Sequence, residues 1–252
     1  MARLMTAARL ALEIRDAIAA AAGGRKPSAG TIFNKPGEEY VAYGLAVPEL
    51  RRAWKPFRPR ILALSLAERL DLAARLLSTH IGETGHAGIH VLALSEPELS
   101  PPQLAALDRM LDDFRGWSHV DDFCASVLQP LLERHPDAVL KRLDRWTRSP
   151  NRWKRRSSVV AFTRKVGESG RFTDTALDFC ERLAFDPEDL VQKGVGWALK
   201  DCMRGAPGHV LTLVKELRRR GAPSTVTLYA VSDLKGRRRA EVLAIKPRRA
   251  SG

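Results

Sequence analysis

Along the 252-residue chain, apolar residues recur mainly at steps of three and four, and sustained apolar–polar alternation is absent. That spacing predicts an all-α protein. A first helix is expected from about Thr6 to Ala22, closed by Gly23-Gly24 and the loop-like run RKPSAGTIFNKPG. After EEYVAYGLAVPELRRAWKPF, helices are predicted near 66–80, 83–95, 102–114, 118–134, 137–147, 152–166, 172–184, 187–204, 208–220 and 223–233.

The breaks between these segments have a chemical basis. SEPELSPPQL, RHPDAV and TRSPNRW interrupt the periodicity with Pro and small polar residues, while FDPEDL offers Asp186 as an N-cap with Pro187 at the first helical position. Helix pairs separated by short turns, at a spacing of roughly 35–40 residues, predict stacked hairpins of the HEAT or armadillo kind. The expected architecture is therefore a curved α-α superhelix with a concave groove. One repeat domain would span 1–234, with 1–38 as an N-terminal helix and loop, and 235–252 would form a basic, partly flexible tail.

Composition gives that groove a sign. Lys and Arg number 42 against 29 Asp and Glu, a net charge of +13, which favours a polyanion such as nucleic acid over a neutral partner. A merely solvated basic surface explains the same imbalance. A chain this long buries roughly 70–75% of its unfolded surface, so it needs no disulfide or metal staple. Cys124, Cys180 and Cys202 are odd in number and widely spaced, and they read as reduced, buried thiols of a cytoplasmic protein. Glu13, Arg15 and Asp16 interrupt any secretory core, and no apolar run is long enough to span a bilayer.

Three stretches carry candidate chemistry. In GWSHVDD, Trp117 and Asp121 are one helical turn apart on the edge of an apolar stripe formed by Val120, Phe123, Cys124, Val127, Leu128 and Leu131. The competing structural reading is a capping box, with Ser118 as N-cap and Asp121 answering it. In NRWKRRSSVVAF, Trp153, Arg156 and Val160 share a face, and Lys154 and Arg155 add first-turn cations that suit phosphate. A solvated basic turn is the alternative there. In VQKGVGWALKDC, Gly194 and Gly196 each cost about 1 kcal/mol in a helix, which implies a close neighbour, and Trp197 lies off the stripe. Tight helix packing accounts for this stretch equally well. His86 and His90 have a metal-compatible spacing but lack the HExxH glutamate, and there is no phosphate loop, dinucleotide fingerprint or nucleophile elbow.

Together these segments resemble the AlkD-type DNA alkylation repair glycosylases, an all-α family of HEAT-like repeats. The resemblance is clearest from Trp117 to Lys200 and extends to YGLAVPELRR at 43–52. It implies that Asp121 is the essential carboxylate, that Trp117 and Trp197 face the lesion, and that Arg156 contacts the DNA backbone beside Arg155, Lys154 and Trp153. The implied reaction is hydrolysis of the N-glycosidic bond of a cationic alkylpurine, 7-methylguanine or 3-methyladenine, in duplex DNA. No cofactor or metal is implied, nor any membrane partner; the expected protein is a nucleoid-associated monomer.

The resemblance further implies excision without drawing the base into a pocket, so a deep base-binding pocket should be missing. Two features depart from the family pattern. The chain before Tyr40 matches poorly, leaving Tyr40 and Tyr43 as candidates for the aromatic that the first helices bring to DNA. His119 replaces the more acidic residues of that turn. A non-catalytic DNA-binding module and a peptide-binding scaffold remain open as other readings. The joint presence of Asp121, Trp117, Trp197 and Arg156 points to the enzyme, since a scaffold does not need that set.

Overall fold

The three-and-four periodicity becomes helix along most of the chain. The computed structural model describes residues 2–29 and 40–246. Its first elements are α1 (Ala2–Ala21), α2 (Val47–Trp54), α3 (Arg58–Leu62), α4 (Leu66–Leu77), α5 (Gly82–Ser95), α6 (Leu104–Met110), α7 (Trp117–Phe123) and α8 (Gln129–Arg134). They continue as α9 (Pro136–Trp146), α10 (Arg152–Val160), α11 (Arg164–Glu168), α12 (Thr173–Leu183), α13 (Asp189–Gly205), α14 (Pro207–Arg219), α15 (Ser224–Ala230) and α16 (Gly236–Leu243). No strand forms among the described residues, although two isolated bridges, Ser28 with Ala42 and Val41 with Ile81, hold the segment entering α2. Most of the loop expected at 25–37 and the last six residues of the tail lie outside the described residues.

The chain divides into two compact units, residues 1–139 and 140–252. In the first, α1 packs on α2 and α4, α4 on α5, and α5 on α7. Leu72, Leu76, Ile89, Leu92, Phe114 and Phe123 fill its core, each fully buried and each worth roughly 1.5–3 kcal/mol of apolar transfer. In the second unit, α13 is central and touches α10, α11, α12, α14 and α15. This explains its glycines. A Cβ on Gly196 would stand 2.6 Å from the Thr225 carbonyl oxygen, and one on Gly194 would press on Val159 and Val160 at 3.3 Å.

Several sequence expectations change in detail. Helix 118–134 is continuous from Trp117, but its middle, Cys124–Leu128, widens into a π turn. Pro130 cannot donate to the Ser126 carbonyl, and its ring crowds that carbonyl, so the turn ahead of it opens. Helix 152–166 splits into α10 and α11, because Arg164 takes φ +57 and its N–H is captured by Asp201 Oδ2 at 2.6 Å. Asp186 does not cap the following helix at Pro187. That helix starts at Asp189, with Glu188 as N-cap, while Asp186 Oδ1 accepts the Glu188 N–H at 2.9 Å. Within the basic tail, Gly236–Leu243 forms the helix α16. The three cysteines are buried thiols, as their spacing suggested.

Candidate functional site

Helix α7 presents two adjoining polar faces beside its buried stripe. Val120, Phe123, Cys124, Val127, Leu128 and Leu131 are all fully buried, which fixes the rotation of the helix and leaves Trp117 and Asp121 half-buried at its edge. One residue round the helix, about 100°, stand Ser118 and Asp122. The capping-box reading fails. The N-cap is Gly116, in extended conformation, so Ser118 already lies inside the helix, where its hydroxyl is drawn to side chains instead.

Those side chains form a connected polar network within the first unit. His86 on α5 bonds Ser118 Oγ through Nε2 at 3.2 Å and Asp122 Oδ2 through Nδ1 at 3.0 Å. Tyr40 is also hydrogen-bonded to Ser118; burial pushes its hydroxyl up to about 12, the Ser118 bond opposing and the Glu83 charge adding to the shift. Tyr40 fits only because residues 82 and 116 are glycine. A Cβ on Gly82 would fall 2.2 Å from the phenol oxygen, and one on Gly116 would fall 2.6 Å from the ring. Glu83, itself buried, accepts the Tyr43 and Leu45 N–H groups at 3.0 Å each and so shapes the loop that leads into α2.

His119 belongs to this packing as well. Its Nε2 donates to the Gly82 carbonyl at 3.0 Å and its Nδ1 accepts the Arg115 N–H at 3.4 Å, a pairing that suits the neutral ring. Burial, with the His86 and Arg115 charges adding and the Gly82 hydrogen bond opposing, pushes its pKa down to about 3. The residue that departs from the family pattern is therefore a core strut between α5 and α7.

Between α2, α5 and α7 lies a cavity of about 760 Å³, whose lining includes Tyr40, Trp54, Glu83, His86, Ser118 and Asp122. Trp117 and Asp121 are not part of its wall; they occupy the neighbouring face of α7.

The other expected site residues lie in the second unit. Trp153 and Arg156 are buried in α10 at 5% and 4% exposure, and the Arg156 guanidinium donates to the Leu190 carbonyl. Arg155 forks onto Asp186, with Nε–Oδ2 at 2.7 Å and Nη2–Oδ1 at 3.1 Å. Both arginines thus bond to acceptors within the protein, and Lys154 beside them is half-buried. Trp197, on α13, is half-buried, and the Arg164 guanidinium carbon sits 4.6 Å from its ring centroid.

Sequence reasoning missed Arg164, Asp122 and Glu83. Ser118 and Asp122 repeat the four-residue spacing of Trp117 and Asp121, a signal that was available in GWSHVDD. Arg164 gave none, since its partners Asp201 and Trp197 are more than thirty residues away. His90 packs against Trp54, with ring centroids 3.6 Å apart and the planes tilted by 45°. No group of His, Cys, Asp and Glu among the described residues is placed to hold a metal ion. Compared with known proteins, the chain matches the family model described as DNA alkylation repair enzyme over residues 16–234. No curated protein matches it.

Proposed function

The chain belongs to the DNA alkylation repair enzyme family, and we propose that it acts there as a DNA glycosylase, hydrolysing the N-glycosidic bond of cationic alkylpurines in duplex DNA. The match over most of the chain supports this reading. The observation that carries it is Asp121, held beside Trp117 at the edge of the buried α7 stripe.

A cationic purine leaves as a neutral base, taking the electron pair of the C1′–N bond, so no general acid is required. Positive charge then develops at C1′ and the ring oxygen of the deoxyribose. The Asp121 carboxylate stabilises that charge and orients the water whose oxygen bonds to C1′, its proton passing to the carboxylate or to solvent. Trp117 and Trp197 are assigned to the sugar and backbone of the lesion, where indole faces also favour developing positive charge. Lys154, with Arg155 and Arg156, remains the proposed phosphate contact in the second unit.

The test is release of free base from DNA carrying 7-methylguanine. Asp121→Asn should lower release by about 10²-fold or more, the scale for losing one preorganised electrostatic group, while duplex binding persists. If the wild-type protein releases no base above the uncatalysed rate yet still binds duplex, it is a DNA-binding module and not an enzyme.

A further inference from the structure

Arg164 is a cation of the second unit to which the proposed chemistry gives no task. Three other cations, Lys193, Lys200 and Arg204, share a face of α13 with Trp197, at helical steps of three and four. Each of the three meets a carboxylate. Lys193 faces Asp189 at 3.4 Å, Lys200 faces Asp233 at 3.8 Å, and Arg204 pairs with Asp233 at 2.7 Å. Arg164 has no ion pair among the described residues. Its guanidinium lies over the Trp197 ring, 4.6 Å from the centroid, and its side-chain hydrogen bond there is a long one, from Nη1 to Thr163 Oγ1 at 3.4 Å.

The backbone beneath this side chain is held in an unfavourable shape. Arg164 takes φ +57, a left-handed conformation that crowds any residue with a Cβ and suits glycine. Asp201, whose side chain is 3% exposed, fixes the turn by accepting the Arg164 N–H at 2.6 Å. Glycine would relieve the crowding, so the turn itself does not call for arginine; what it gains is the placement of a guanidinium. That group is planar, with N–H donors in a fork that matches the oxygens of a phosphate. One of its faces is stacked on the indole and it makes one weak bond, so its remaining donors stand half-buried and already ordered for an anion.

We infer that Arg164 binds a backbone phosphate of duplex DNA beside the nucleotide that Trp197 meets, with the indole as its platform. The partner rests on the reading of the chain as a DNA repair enzyme, whereas the choice of residue rests on the stacked guanidinium without an ion pair. Arg155 and Arg156 already bond to Asp186 and to the Leu190 carbonyl. Drawing Arg155 onto a phosphate would take it from a nearly buried carboxylate, a costly exchange. Arg164 gives up no ion pair when the phosphate arrives, and so adds to the proposed grip a contact that leaves the packing of the unit intact.

The experiment is a fluorescence titration of the full chain with duplex DNA over a salt series, run beside the base-release assay. Arg164→Gly suits it, because glycine relaxes the left-handed backbone and the variant should keep its fold. Losing one phosphate contact should make the slope of log K against log salt shallower by about 0.9, so that binding weakens about eightfold near 0.1 M salt and little near 1 M. Arg164→Lys, which keeps the charge, should restore most of the slope. A wild-type slope in Arg164→Gly would overturn the contact, as would a loss of affinity that is equal at every salt concentration, the mark of a displaced indole. A shallower slope in the variant, with no base release by the wild type, would uphold the contact and remove the glycosylase. Base release with an unchanged slope would do the reverse, and a wild-type protein that binds no duplex would overturn both.

Discussion

His119 stands between Trp117 and Asp121 in sequence, yet its ring is buried at the meeting of α5 and α7 and contributes to stability through its charge state. Its folded pKa, pushed down to about 3, lies below the unfolded value of about 6.5. Between those values the unfolded chain holds a proton that the folded chain lacks, so stability present above the unfolded pKa is lost as pH falls through the window. The slope approaches about 1.4 kcal/mol per pH unit, and His90, also lowered by burial, acts in the same direction. Urea unfolding of wild type and His119→Gln across this range should show a shallower acid loss in the variant, whose amide can still donate to the Gly82 carbonyl. Parallel curves would mean that His119 does not stay neutral in the fold.

Among the helices, a strong local commitment joins Arg155, expected from the sequence to bind phosphate, to Asp186, expected to be a helix cap. Asp186 is 4% exposed at its side chain, receives both prongs of Arg155 and accepts the N–H of Glu188, the residue that opens α13. Asp186→Ala should therefore cost about 3 kcal/mol, because it removes the carboxylate from a nearly buried guanidinium and leaves it with the Ser149 and Pro150 carbonyls as its acceptors among the described residues. Glu188→Ala, which removes the more exposed pair with Arg152, should cost less than about 1 kcal/mol. Denaturant midpoints that failed to separate the two variants would show that the Arg155 fork adds nothing to the packing of α10 against α13. Helix positions were legible from the apolar period, but the π turn and the α10–α11 break were not. One follows from Pro130 acting on the carbonyl four residues back, the other from an Asp201 partner 37 residues away.

At the scale of the molecule, the excess of cations makes binding to duplex DNA an electrostatic event. Each phosphate neutralised should add about −0.9 to the slope of log K against log salt concentration. A fluorescence titration over a salt series should give a slope of several units, and a slope near zero would favour the peptide-binding scaffold. No helix among the described residues is long and apolar enough to cross a membrane.

By itself the sequence determined the helical class, the order of the helices, the buried stripe of α7 and the pairing of Trp117 with Asp121, since all of these follow from residues three or four apart. Tertiary structure decided what those residues touch. It buried Arg156 against the Leu190 carbonyl, turned Ser118 from a presumed cap into a partner of His86, and set Arg164 over Trp197. It also enclosed the cavity with residues from α2, α5 and α7. Local spacing fixes the face of a helix on which a side chain stands, but the partner it meets depends on which distant helix packs there.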